Sequence, residues 1–331
     1  MAINHGRFPM FPVNNLNLPE VPVFLRVLFA FALIITWTAK TSAQSGRHTI
    51  PAGAGGAVML GVVAVRDNTN AQPGNQQKSQ QKNQQKIVTA NEVSLYDNGI
   101  EQTIQSFSPD PGPARIVLLV DNSLSLRADV KKLEQAAREF AYEIYKGDQV
   151  MIVGFDEKPE IILDWTDDAK KVESSLRNFR KKGEPFLFDA LSATISDALQ
   201  PFKTASSKRI IVVVSDGLDR GSKITFDDVQ TELQSEDITL YALQLPDRSG
   251  GAFRRGKPKA PEVIRKLTEG TGGRIVSFEE PREAAASICD ELRKERYLLA
   301  YTPTGIIYGE PRRLLVAGNT GIVFRAKTAQ P

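Results

Sequence analysis

The sequence predicts an α/β protein: a doubly wound, mostly parallel sheet, with a small flanking β element built from the N- and C-terminal segments. Three observations predict it. Continuous apolar runs such as Ile116–Val120 and Arg209–Val214 fit parallel strands covered on both faces. Segments with apolar residues at helical spacing alternate with these runs. Short strand-like segments without intervening helices lie at both ends of that alternation.

The chain has 331 residues, which suits a leader, one α/β domain and additions. It is 41% hydrophobic and 24% charged, so a sizeable core can form. Lys plus Arg number 42 against 39 Asp plus Glu, for a net charge of +3. That balance argues against a nucleic-acid binder built on a basic field. One cysteine, Cys289, excludes an internal disulfide and a multi-cysteine metal site. Its spacing with Ala284, Ala285, Ile288 and Leu292 marks a buried thiol on a helix. The two histidines, His5 and His48, lie outside the inferred folded body, which excludes core histidine catalysis.

In chain order, residues 1–43 read as a signal peptide. Arg7 and Arg26 precede the apolar run Val27–Ile35, and Thr41-Ser42-Ala43 offers a cleavage site after Ala43. The run is shorter than the roughly 20 apolar residues that span a bilayer. The expected protein is exported, periplasmic or extracellular, and would touch a membrane only through an uncleaved leader. Residues 44–110 form an N-terminal β element: a strand at Ala57–Val65, then Val93–Tyr96 and Glu101–Phe107 around the hairpin turn Asp97-Asn98-Gly99. Residues 71–86, rich in Gln and Lys, cannot bury a core and read as a disordered insertion.

The main domain spans 114–296. Ile116–Val120 is its first strand. Leu133, Ala136, Ala137, Phe140, Ala141 and Ile144 line one face of a helix, stopped by Gly147. Strands follow at Gln149–Phe155, Ile161–Leu163 (an edge), Arg209–Val214, Thr239–Gln244 and Arg274–Ser277. The intervening helices are Asp167–Phe179, Phe188–Leu199, Phe226–Gln234 and Pro261–Leu267, and Pro281–Arg296 is the last. Residues 297–331 carry three more strands, expected to join the N-terminal element in one small sheet.

Doubly wound sheets place function in the loops at the carboxyl ends of their strands. After the first strand comes Asp121-Asn122-Ser123-Leu124-Ser125, and after Arg209–Val214 comes Ser215-Asp216-Gly217. Two carboxylates and two hydroxyls meeting at one edge suit a hard cation with oxygen ligands. The same residues could instead serve structure alone, with the serines capping a helix and Asp216-Gly217 making a turn.

These motifs resemble the metal-ion-dependent adhesion site of the von Willebrand factor type A domain. With the hairpin segment VSLYDNGIEQTIQSF before it and YLLAYTP after its last helix, the chain is similar to the VWFA-related domain family described from Acidobacteria. The resemblance covers about Ala57–Lys327. It implies that Ser123 and Ser125 ligate Mg²⁺ or Mn²⁺ directly while Asp121 and Asp216 hold its waters. An open position would accept an Asp or Glu carboxylate from a protein partner, and no enzyme activity or nucleotide is implied. The chain departs from the family at Gly183-Glu184-Pro185-Phe186-Leu187-Phe188-Asp189-Ala190, where Pro185 stands in place of a threonine ligand. Glu184 or Asp189 would then be the fifth ligand, although Asp189 also suits the first turn of its helix.

Two other functions remain open: a metal-free interaction or structural module in which Pro185 has retired the site, and a metal-dependent hydrolase using Asp121 and Asp216. Phosphate loops, dinucleotide fingerprints and Gly-x-Ser-x-Gly elbows are absent. The basic run Arg254–Lys259 reads as a solvated loop.

Overall fold

The computed structural model describes residues 56–66, 87–126, 130–176, 182–203, 207–248, 258–307 and 310–331. The leader through Ala43, the Gln/Lys-rich insertion and most of the basic run lie outside the described residues.

The central layer is a six-stranded sheet in the order β10-β9-β8-β5-β6-β7. Its strands are β5 (Ala114–Asp121), β6 (Gln149–Phe155), β7 (Pro159–Thr166), β8 (Lys208–Ser215), β9 (Thr239–Gln244) and β10 (Ile275–Ser277). Pairing is parallel from β10 to β6, and only β7 runs antiparallel, at one edge. Every residue of β8 is buried, which explains its unbroken apolar run.

Helices cover both faces. On one face, α1 (Val130–Glu143) buries Leu133, Ala136, Ala137 and Phe140, and α6 (Pro281–Lys294) buries Ala285, Ile288, Cys289 and Leu292. These pack with α2 (Ala169–Ser175), through Val172, against Ile116, Leu118, Val212 and Tyr241. Burial pushes the Cys289 thiol pKa up, which disfavours the thiolate. On the other face, α3 (Leu187–Ala193), α4 (Phe226–Ser235) and α5 (Ala260–Thr271) pack against Val117, Leu119, Ile211 and Val213.

Two helices differ from expectation. The segment expected as one helix over Phe188–Leu199 changes to π geometry at Thr194–Leu199. There the Thr194 hydroxyl donates to the carbonyl of Ala190 and competes with the backbone ladder. Helix α5 runs past the expected end at Leu267 to Thr271 and is capped by Gly272, whose φ of 82° is the left-handed cap that favours glycine.

The terminal segments make two four-stranded antiparallel sheets rather than one, ordered β13-β1-β11-β4 and β14-β12-β2-β3. Their strands are β1 (Val58–Arg66), β2 (Val93–Asp97), β3 (Ile100–Gln102), β4 (Ile104–Pro109), β11 (Arg296–Tyr301), β12 (Arg312–Gly318), β13 (Ile322–Ala326) and β14 (Ala329–Gln330). The segment expected as one strand, Glu101–Phe107, breaks at Thr103 so that β3 and β4 serve different sheets. Leu60, Val62, Leu299 and Tyr301 from one sheet share a core with Val93, Leu95 and Leu314 from the other. A single sheet would have left one of those apolar faces uncovered. The β2–β3 turn has Asn98 and Gly99 at φ 50° and 80°, as an Asn-Gly hairpin requires.

Candidate functional site

The order of the central sheet reverses at β5, which lies between β8 and β6. The carboxyl ends of β5 and β8 therefore flank the crevice where such sheets bind ligands. Register makes this concrete. Val120 pairs with Val214, so Asp121 leaves β5 beside Ser215 and Asp216 at the end of β8. Ser215 pairs in turn with Gln244, and the amide of Leu245 donates to the Ser215 carbonyl at 3.1 Å. The chain leaving β9 thus passes the same edge and delivers Arg248 to it.

Asp121, Ser123 and Asp216 are fully buried. The Arg248 side chain is only 2% exposed and lies among them. Its Nε donates to Asp216 Oδ2 at 2.7 Å, and Nη2 donates to Asp216 Oδ1 at 2.8 Å and to Asp121 Oδ2. Nη1 donates to Ser123 Oγ at 2.7 Å and to Ser125 Oγ at 2.9 Å. A guanidinium has five N–H donors, and these bonds use all of them. One side chain thereby joins all four residues that the sequence singles out.

The remaining bonds saturate the cluster. Asp121 Oδ1 accepts from the Ser123 amide at 3.0 Å and from its hydroxyl at 2.5 Å, and Oδ2 also accepts from Ser215 Oγ at 3.0 Å. Asp216 Oδ1 also accepts from the Leu218 amide at 3.1 Å, and Oδ2 from the Arg248 amide at 3.0 Å. Each carboxylate oxygen takes two donors, which is its normal capacity. Gly217 allows the tight exit from β8. Its φ is 87°, and a Cβ there would lie 2.3 Å from the Ala260 carbonyl oxygen.

Burial raises the Asp121 pKa, with the Arg248 charge and the Ser123 hydrogen bonds opposing it. Burial works against the charge on Arg248, but the hydrogen bonds and charges of Asp216 and Asp121 overcome it, and the guanidinium pKa is raised. The cation of this cluster is permanent.

The two candidate fifth ligands go elsewhere. Glu184 stands at the rim, reached by Ser125 Oγ at 3.5 Å and paired with Arg220 at 3.3 Å. Asp189 accepts from the amides of Lys223 and Ile224, each at 2.9 Å, and so pins the loop before α4. Pro185 contributes only its carbonyl, which accepts from the Arg220 amide at 2.9 Å.

The oxygen donors have the chemistry of a divalent-cation site, but with Arg248 seated they do not fit one. Every carboxylate oxygen is saturated, both serine hydroxyls are engaged, and position 185 offers no side-chain oxygen. Sequence reasoning missed Arg248. The available signal was its place just after β9, whose carboxyl end adjoins that of β8. A cation there faces two carboxylates.

An α/β sheet with a Ser/Asp cluster at its switch point defines a class, and comparison with known proteins gives the same class. Residues 116–218 match the family model of the von Willebrand factor type A domain. Its structure is similar to an aerotolerance-related membrane protein from Bacteroides fragilis, at 16% identity and a TM-score of 0.42, covering 55% of this chain and 99% of that one. It is similar to BatB from Bacteroides thetaiotaomicron, at 17% identity and a TM-score of 0.43, covering 55% and 98%. A von Willebrand factor type A protein from Catenulispora acidiphila is similar at 11% identity and a TM-score of 0.44, covering 74% and 75%. No curated protein matches the chain.

Proposed function

We propose that this chain is an exported, non-enzymatic protein-binding module that presents the carboxyl edge of its central sheet to a partner and uses Arg248 as the cation of that edge. The observation that carries this reading is the five-bond engagement of Asp121, Ser123, Ser125 and Asp216 by one guanidinium. It leaves neither Asp121 nor Asp216 free to act as a base and neither Ser123 nor Ser125 free to act as a nucleophile. It also removes the need for a resident metal. Leu124, 67% exposed within the same loop, supplies an apolar contact point beside the sealed cluster.

The test is site-specific photo-cross-linking in the producing cell, with the cross-linker at Leu124 or, as control, at Tyr142. Tyr142 is also exposed but lies near the far end of α1, toward the opposite edge of the sheet. The expected result is a discrete protein adduct from position 124, absent from position 142 and unchanged by a chelator. Equal adducts from both positions would contradict binding at this edge. An adduct lost on chelation would favour Mg²⁺ or Mn²⁺ as the working cation.

A further inference from the structure

Beside the sealed cluster lies a second feature with the opposite character. The ends of β5 and β6 and the start of β7 enclose a cleft of about 260 Å³, lined by Asn122, Gly154, Asp156, Lys158, Ile162 and Lys182 among others. Asn122 and Asp156 are each only 6% exposed. Asn122 Oδ1 and Asp156 Oδ2 nevertheless receive no hydrogen bond among the described residues. Leaving a buried acceptor unsatisfied costs about 1–3 kcal/mol, and more for a charged group. Two such acceptors in one small cleft contrast with the saturated oxygens of Asp121 and Asp216, next in sequence or neighbouring in the sheet.

The other contacts do not quench them. Asp156 Oδ1 accepts from the Lys158 amide at 3.0 Å, which leaves Oδ2 without a hydrogen bond. The Lys182 ammonium lies 4.0 Å from Asp156 Oδ2 and is bonded to Glu160 instead, at 2.8 Å. That pair is exposed and can move aside, since surface ion pairs contribute little.

The geometry points to this cleft as the seat for a lysine or arginine side chain of a protein partner. Both unsatisfied groups are buried acceptors, so an occupant that reaches them as the Lys182–Glu160 pair moves aside must be a donor, and the carboxylate favours a cation. The cleft continues into a neighbouring one of about 560 Å³ that shares Asp156, Lys158, Glu160 and Lys182 with it, and is itself large enough for one side chain. Ile162 lines it and Ile161, 62% exposed, stands at its mouth, offering apolar surface to an aliphatic stem while the charged head reaches Asp156. Arg248 provides an internal precedent at the same edge: a guanidinium held by paired acceptors from adjacent strand ends. The inference deepens the protein-binding reading by naming the chemistry of the partner's contact residue.

The experiment is an NMR titration of the exported chain with N-acetyl-lysine amide and N-acetyl-arginine amide, with N-acetyl-norleucine amide as the neutral control. The side-chain amide of Asn122 and the backbone amide of Gly154 report on the cleft. Saturable shifts are expected with a cationic probe and not with norleucine. Asp156→Asn should weaken binding about tenfold or more. Asn122→Asp, which adds a charge at the second acceptor, should tighten it and keeps the test decisive if Asp156→Asn does not fold. The proposal is overturned by the absence of saturable shifts, by equal shifts from the neutral probe, or by affinity that neither variant changes. Small probes test the cleft without any partner, so failure here is distinct from failure of the cross-linking at Leu124.

Discussion

Two of the buried clusters of charge among the described residues are built in opposite proportions. At the carboxyl edge, two carboxylates and two hydroxyls share one guanidinium. Between α6 and the strands beside it, one carboxylate, Glu291, serves two guanidiniums and a phenol. Arg274 Nε and Arg325 Nη2 each lie 2.7 Å from Glu291 Oε2, and the Tyr241 hydroxyl donates to Oε1 at 2.6 Å. The Arg274 and Arg325 side chains retain 30% and 21% exposure, whereas Arg248 retains 2%. The Glu291 cluster ties α6, β9 and β13 together and reaches water through its cations. The edge cluster is anionic in composition, dry, and placed where this fold binds ligands. An excess of buried anionic groups marks a seat for a cation, and here the chain supplies its own.

The largest expected effect comes from emptying that seat. Arg248→Met leaves two buried carboxylates without their counter-charge and should cost about 3–5 kcal/mol in urea unfolding. A loss under about 1 kcal/mol would mean that the cluster does not depend on the guanidinium. Glu291→Gln should cost less, about 1–3 kcal/mol, because Arg274 and Arg325 can turn to water. If Glu291→Gln proved the more damaging change, the contrast between the clusters would be reversed.

Acid titration separates them by sign. Burial works to raise the Glu291 pKa, but the Arg325 and Arg274 charges overcome it and hold it below the ordinary carboxylate value. Its stabilising contribution is therefore complete above that ordinary value and is lost as pH falls through the lower folded-state value. Asp121, raised by burial, does the reverse: its contribution declines as pH rises from the ordinary value through the raised one. Melting temperatures followed from about pH 3 to 7 should show Glu291→Gln removing a loss on the acid side. Asp121→Asn should remove a decline on the neutral side. The same direction of change in both variants would refute the assignment. The smallest effect belongs to Leu124→Ser, which should leave stability within about 0.5 kcal/mol while weakening the Leu124-side contact with a partner.

Much of this was legible in the sequence, and the gaps have physical causes. Ile116–Val120 and Arg209–Val214 announced β5 and β8 because fully buried parallel strands need unbroken apolar runs. Asp121, Ser123, Ser125 and Asp216 could be grouped because strand ends in such a sheet share an edge. The break at Thr103 was not visible, since a strand's switch between two sheets leaves no change of period. Arg248 was not visible either. It follows β9 in an irregular segment, and nothing local distinguishes a solvated arginine from one drawn into a site by carboxylates 127 and 32 residues away. The unsatisfied oxygens of Asn122 and Asp156 emerge only when β5, β6 and β7 are assembled.

The most direct test is calorimetric titration of Mg²⁺ and Mn²⁺ into the wild-type chain and into Arg248→Ala. If Arg248 holds the cation seat, the wild type gives no saturable heat, and the variant, its oxygens uncovered, binds the ion and gains melting temperature from it. Saturable binding by the wild type, as tight as by the variant, would contradict the account.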